Sequence, residues 1–341
     1  MGPSVPGGIL HSAIQIGQRI DALLFPKREI YSHPLPFWQG ALAFIGLTLL
    51  LSLTGLFLRP GGMIGFDWIH FFSTKVSPPF YPPWTTWVLQ GLSWPLLLGL
   101  TLTAFGIASF QRARYRLSVA LAFFSLPLLW TLFLGQLDGL ALMGVLGLPW
   151  LAPLALIKPQ VSLFAFGARR SSLLALVAVL VLSFLLWGYW PAQMLAHESY
   201  LAEGRYVNNI SLGLYGLPLF LATVWASRGD PDMLMLSGSF ITPYLIPYSF
   251  LPLTPAIARL HPAVAFIAVL LSWLPLSANW LGDSGWWLGW LFIAWTWIHL
   301  ANARYRKKND LFLPIAIAKW LAWQSPTAGQ GRNQESAPAP P

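Results

Sequence analysis

Polar residues are so sparse along this chain that they punctuate it. Long apolar runs, several approaching or exceeding the roughly 20 residues that cross a bilayer, are separated by short polar or basic turns. The first run, 37–58, leads into a loop at 59–83 that holds Asp67, His70, Lys75 and Pro78-Pro79-Phe80-Tyr81-Pro82-Pro83. Runs at 84–110, 117–134, 171–190 and 210–227 follow. Between 139 and 168, Pro149, Pro153 and Pro159 predict a broken or re-entrant element, tolerated only where it lines a cavity. Residues 233–258 read as one long kinked span or as two short ones meeting near Thr242-Pro243-Tyr244; runs at 262–277 and 286–302 complete the series. Because the runs are continuous and not alternating, helices are expected and a barrel is excluded. The fold class is all-α, a polytopic transmembrane helix bundle of about 9–10 spans by the length rule.

Around the bundle, 37–302, the flanks differ in character. Residues 1–36 include helical apolar spacing at 9–25, which suits a cytoplasmic interfacial helix. Residues 303–323 combine a basic run with a second interfacial helix anchored by Trp320 and Trp323, and 324–341 is a Ser/Pro/Ala/Gln-rich tail expected to be disordered. No internal repeat and no cleavable signal pattern ahead of the first span is evident.

Composition sharpens the setting. Charged residues are only 9% of 341, against about 25% in a soluble domain, and the mean hydropathy is +0.61. A net charge of +9 could suggest nucleic acid, but the basic residues cluster at Lys27-Arg28, Arg112/Arg114/Arg116, Arg169-Arg170 and Arg304-Tyr305-Arg306-Lys307-Lys308. Short basic clusters between apolar runs are the positive-inside pattern. They predict a multi-pass protein of the cell (plasma) membrane with a cytoplasmic N-terminus, residues 59–83 and 191–209 outside, and no nucleic-acid partner. The absence of cysteine excludes disulfides, thiolate metal sites and cysteine nucleophiles.

Against this background Leu134-Gly135-Gln136-Leu137-Asp138 and Ile157-Lys158-Pro159-Gln160 stand out. An uncompensated charge at mid-membrane costs a few kcal/mol, so such residues usually face a polar cavity. On the predicted topology every unusual polar residue falls on the outer side: Asp67 and His70, Gln136 and Asp138, Glu198, Glu203 and Arg205, and Thr242 with Tyr244. Carboxylates beside scarce cations suit a reaction between a phosphate-bearing lipid and a hydroxyl nucleophile. A carboxylate can take the acceptor proton and a cation can stabilise charge on the leaving phosphate.

Tyr81-Pro82-Pro83, Gly135-Gln136-Leu137-Asp138, Ile157-Lys158-Pro159-Gln160 and Ser239-Phe240-Ile241-Thr242-Pro243-Tyr244 resemble, in that order, the landmarks of glycosyltransferase family 87. That family belongs to the C-fold polyprenyl-phosphate-sugar-dependent transferases. The resemblance implies a membrane hexosyltransferase using a polyprenyl-phosphate sugar, commonly mannose, and an extracytoplasmic lipid or glycan acceptor. It implies Asp67 as the catalytic base, and His70, Tyr81, Gln136, Asp138, Lys158, Gln160, Arg205 and Tyr244 as substrate-binding residues. The chain is shorter than typical members, and it reads Gln-Leu-Asp where Gln-x-Asn is common.

Each residue also has a plainer reading. Asp67 could be a solvated or capping carboxylate, and His70 a packing partner. Lys158 could snorkel to the surface, while Gln136 and Asp138 could cap a helix start. Most of the nineteen tryptophans read as interfacial anchors. No cofactor is required, although a divalent cation between Asp67 and Asp138 is an open arrangement. The competing functions are a transporter with a central polar site and a non-catalytic membrane subunit, in which His299 could ligate a pigment.

Overall fold

The computed structural model describes residues 37–192 and 208–308. The expectations for 1–36, for 309–341 and for Glu198, Glu203 and Arg205 lie outside the described residues. Among those described the chain is helical, with no β-strand beyond an isolated bridge between Gly61 and Ile64. Four helical stretches are long and apolar enough to cross a membrane: Gln39–Phe57, Trp94–Arg112, Arg170–Trp187 and Pro262–Ala303. A fifth results if Arg116–Ala122 and Leu126–Leu134, bent by 41°, form one span. Leu42, Leu49, Phe57, Leu174 and Leu185 are all more than 60% exposed. Water does not tolerate apolar faces of this extent, whereas lipid solvates them, so this is a membrane protein.

The remaining apolar runs fold as short or broken pieces. The run at 84–110 is one correction. Thr85–Gly91 stops, Leu92 turns extended, and a new helix starts at Trp94. Ser93 caps it by accepting from the Leu96 N–H at 3.4 Å, and Pro95 suits its first turn. Trp94–Arg112 then forms a central post. It packs against Phe37–Ser52, where Gly99 touches Ser52, and against Asp138–Leu146, where Gly139 touches Thr101. Small residues at such contacts let helix backbones close up without a hydrophobic driving force.

The proline-broken stretch after Asp138 doubles back. Asp138–Leu146, nine residues long, reaches about 13 Å into the bundle. Ala152–Ala155 returns along it, with Gly144 against the Ala155 main chain. The chain thereby arrives at Lys158 beside Asp138, where it began. Pro159–Ser162 and the 3-10 turn Leu163–Ala168 next run antiparallel to the helix Pro231–Ile241. Thr242 bonds the Gln160 carbonyl at 2.5 Å, and Gly238 lies on Phe164. Gly144→Val would drive a side chain into the Ala155 backbone, which cannot move aside as a rotamer could. Overpacking of this kind costs about 3 kcal/mol; the expected result is loss of the monodisperse peak on size-exclusion chromatography.

Residues 233–258 resolve into two short pieces. After Ile241 the chain breaks at Thr242-Pro243-Tyr244 and returns through 3-10 turns at Pro247–Phe250 and Thr254–Arg259. Pro247, Pro252 and Pro255 lack the amide donors an α-helix needs, and the segment is buried throughout its middle. The stretch Pro262–Ala303 also folds back, because Pro262–Ser272 packs on Gly289–Lys308. Trp295 Nε1 donates to the Val264 carbonyl across that pair at 3.1 Å. Other indoles work similarly: Trp84 donates to Pro153 at 3.0 Å, Trp273 to Phe124 at 2.8 Å and Trp290 to Ile210 at 2.9 Å. These tryptophans cross-link elements by hydrogen bonds to main-chain carbonyls, a role beyond interfacial anchoring.

Candidate functional site

Local backbone geometry brings Asp67 and Gln136 together. The helix Leu126–Leu134 ends in a left-handed turn at Gly135, φ 76°, where a Cβ would strike Trp94 and Trp68. That turn sends Gln136 back toward the preceding loop. The loop is held by Gly65, whose N–H donates to the Phe133 carbonyl at 2.6 Å. Asp67 then occupies the N-cap of a π-helical turn, Trp68–Phe72. Such turns are uncommon and concentrate at functional positions.

Gln136 is the hub. Its amide NH2 donates to Asp67 Oδ2 and to the Tyr248 hydroxyl, the latter at 3.2 Å. Its carbonyl accepts from Lys158 Nζ at 2.7 Å and from the Tyr81 hydroxyl at 3.4 Å. Lys158 can only donate, so the atom facing it must be the amide oxygen; the orientation of the whole side chain follows. Two donors and two lone pairs are all engaged, which is the full capacity of a glutamine. Lys158 also donates to Asp138 Oδ2 at 2.6 Å and lies 4.3 Å from the Tyr248 ring centroid. Asp138 opens the helix Asp138–Leu146 without making a side-chain cap bond; it faces the ammonium instead.

The cluster holds two carboxylates against one ammonium, and Asp67, Gln136, Asp138 and Lys158 are all less than 9% exposed. Burial raises the Asp67 pKa above the ordinary carboxylate value, against the lowering effects of the Gln136 bond and the Lys158 charge. Asp67 is thereby a stronger base than a free aspartate.

The other expected site residues are placed less centrally. His70 is exposed, donates its Nδ1–H to the Phe66 carbonyl at 2.7 Å, and stacks on the Phe66 ring. These contacts are those of a packing partner, the plainer of the two readings. Gln160 contributes its main-chain carbonyl to Thr242. Tyr244 is half-buried and lies near Tyr81 and Tyr248. The space between Asp67 and Asp138, where a divalent cation was an open arrangement, holds side chains. Gln136 and the Lys158 ammonium fill that position, and no group of three metal-binding side chains occurs among the described residues. His299 packs against Trp295, ring centroids 4.5 Å apart.

Sequence reasoning missed Tyr248, four residues beyond the last motif residue considered. It also placed every unusual polar residue at one end, which the structure corrects. At the opposite end of the Trp94–Arg112 helix, Arg112 bonds Asp232 at 2.8 Å. Arg259 reaches Asp232 at 2.8 Å and Asp230 at 3.1 Å. Asp230 caps the helix Pro231–Ile241 by accepting from the Asp232 and Met233 N–H groups. Arg112, read above as part of a basic cluster between apolar runs, thus joins Asp230, Asp232 and Arg259 in a buried ionic network. The two clusters are joined by the stretch holding the two 3-10 turns, 247–259, which carries Tyr248 at one end and Arg259 at the other.

No family model, curated protein or solved structure matches this chain. The site must be read from its own chemistry.

Proposed function

We propose that the Asp67 end of the bundle faces outward and that the protein is an inverting, polyprenyl-phosphate-sugar-dependent glycosyltransferase of C-fold type. The bundle then makes about 9–10 crossings once short and broken pieces are counted, in a cell membrane with the N-terminus cytoplasmic. Asp67 takes the proton of an acceptor hydroxyl as its oxygen attacks the anomeric carbon of the lipid-linked hexose. The bond from that carbon to the phosphate oxygen breaks, and polyprenyl phosphate departs with the electron pair. Lys158 supplies the positive charge that steadies the departing phosphate, while Asp138 and the Tyr248 ring hold the ammonium in place. The product is a glycosylated lipid or glycan.

The observation that carries this reading is that a single amide, Gln136, links the base candidate Asp67 to the cation candidate Lys158. One phosphosugar is about long enough to touch both, as in-line transfer requires. The motif resemblance supplies the choice of donor, and mannose as the expected sugar.

Purified protein in nanodiscs, offered polyprenyl-phosphate hexoses and a membrane lipid extract, is expected to yield a new glycosylated product and free polyprenyl phosphate. Its kcat/KM should fall as pH drops, because a protonated Asp67 cannot accept the acceptor proton. Since burial raises the Asp67 pKa, this acidic limb should lie above the ordinary carboxylate value of about 3.9; a limb at or below that value would remove Asp67 from the role.

A second reading, a transporter, is favoured by one observation: two buried charged clusters sit at opposite ends of the stretch holding the two 3-10 turns, 247–259. Accumulation of intact phosphosugar inside proteoliposomes, with no sugar transferred, would select it.

A further inference from the structure

Beside the Asp67 cluster lies a cavity of about 370 Å³, within the size range of small-molecule sites. Its walls come from the proline-rich loop, the start of Thr85–Gly91 and the region around the end of Arg170–Trp187. Tyr81 lines it and also donates to Gln136, so the cavity and the charged cluster share one side chain. We infer that this cavity binds a saccharide, ring face against the indoles of Trp87 and Trp187.

Four observations point to a sugar and not to an acyl or prenyl chain. The first is the indole arrangement: Trp87 and Trp187 lie with ring centroids 4.9 Å apart, tilted by 54°, and Trp190 meets Trp84 edge-on at 5.4 Å. Broad, polarisable faces of this kind suit the C–H face of a pyranose ring. The second is the state of the indole nitrogens. Trp84 and Trp190 donate internally, to Pro153 and to Ser183, whereas Trp87 and Trp187 have no hydrogen-bond partner among the described residues. The third is Thr86, whose oxygen accepts from the Ser77 N–H at 3.0 Å while its own proton has no acceptor among the described residues. A hydroxyl-rich ring edge uses these donors; a hydrocarbon chain wastes them. The fourth is rigidity: Pro78, Pro79 and Pro83 are part of the lining, so little order has to be gained on binding.

Trp87 is 62% exposed, and an interfacial anchor would share that exposure. An anchor, however, presents its ring to headgroups without lining a cavity that also holds Ser77, Tyr81 and Thr86. Taken together with the transferase reading, on which this extension rests, the sugar here belongs to the acceptor. Its free hydroxyl would extend past Tyr81 toward Asp67.

The test measures binding separately from transfer. Saturation-transfer NMR on the full chain in nanodiscs would use methyl hexopyranosides and α-linked hexose disaccharides, with decanol as the hydrocarbon probe. Wild type is expected to bind at least one saccharide, and Trp187→Leu and Trp87→Leu to weaken it about tenfold each, as loss of an aromatic contact implies. Trp187→Phe should restore part of the loss, and Thr86→Val should weaken binding. Trp87 is exposed, so its variant should keep the wild-type elution profile. Absence of saccharide binding, or binding indifferent to both tryptophans, overturns the assignment. So does Trp187-dependent binding of decanol alone. Saccharide binding without transfer from any donor would support this site while removing the transferase reading. Transfer that is indifferent to Trp87 and Trp187 would do the reverse.

Discussion

Asp67→Asn is expected to lower sugar transfer by about 10²–10⁴-fold, the usual consequence of losing a general base, with donor affinity barely changed. The amide keeps the size of the side chain but cannot accept the acceptor proton. Its amide oxygen can still accept from the Gln136 NH2, which Lys158 holds in place, so the hub should survive. Lys158→Met should behave differently. It removes the cation that would face the phosphate, so donor binding and turnover should fall together. It also leaves Asp138 buried without its ion pair, so each variant must first give a monodisperse peak. Steady-state rates with acceptor saturating, beside equilibrium donor binding, separate the two outcomes. If Asp67→Asn kept near wild-type transfer, the base would have to be sought elsewhere in the cluster, first at Asp138.

The second large effect concerns the opposite end of the bundle. Asp232 is buried between Arg112 and Arg259, both side chains of the Arg112 pair being 1% exposed. Asp232→Asn removes the carboxylate facing the buried Arg112 guanidinium and leaves Arg259, 21% exposed, with Asp230. Removing one partner of a buried pair costs about 3–5 kcal/mol. For a chain of this size that corresponds to a fall in Tm on the order of 10 °C. A detergent-solubilised thermal-unfolding series checks it, and an unchanged Tm would show that the network contributes no net stability. The folded fraction of Asp232→Asn should keep its donor affinity, because Asp232 is not part of the Gln136 cluster.

The two ends of the bundle differ in how readable they were. Gln136, Asp138 and Lys158 were conspicuous because polar side chains in apolar surroundings are costly and therefore rare. Their mutual placement depends on Gly135, whose left-handed turn could be suspected from sequence, and on the doubling back after Asp138, which the prolines marked. Tyr248 was hidden because a tyrosine in a proline-interrupted apolar run resembles ordinary packing. The Arg112–Asp232–Arg259 network was hidden for a different reason. A buried cation at a helix end and a solvated cation in a short loop leave the same trace in sequence, so the positive-inside pattern absorbed both arginines. Asp230 and Asp232 sit in Arg228-Gly229-Asp230-Pro231-Asp232, a sequence typical of an exposed turn, although Asp230 is an N-cap.

Helix boundaries failed where local chemistry overrode hydropathy. The run at 84–110 is continuous in apolarity, but Ser93 and Pro95 restart the helix at Trp94. At 247–259 the prolines impose 3-10 turns, which no apolar periodicity announces. The span count inferred from runs alone therefore exceeds the number of helices that are individually long enough to cross.

The most direct measurement of the central claim follows both halves of a doubly labelled donor. A polyprenyl-phosphate hexose carrying tritium in the sugar and radiophosphorus in the phosphate is incubated with the protein in nanodiscs and a membrane lipid extract, beside Asp67→Asn. The expected result is separation of the labels in the wild type: tritium in a new glycosylated lipid or glycan, radiophosphorus retained in polyprenyl phosphate. Asp67→Asn should leave both labels together in the donor. Labels that stay together with wild-type protein under conditions where the donor binds would contradict a transferase built on Asp67 and Lys158.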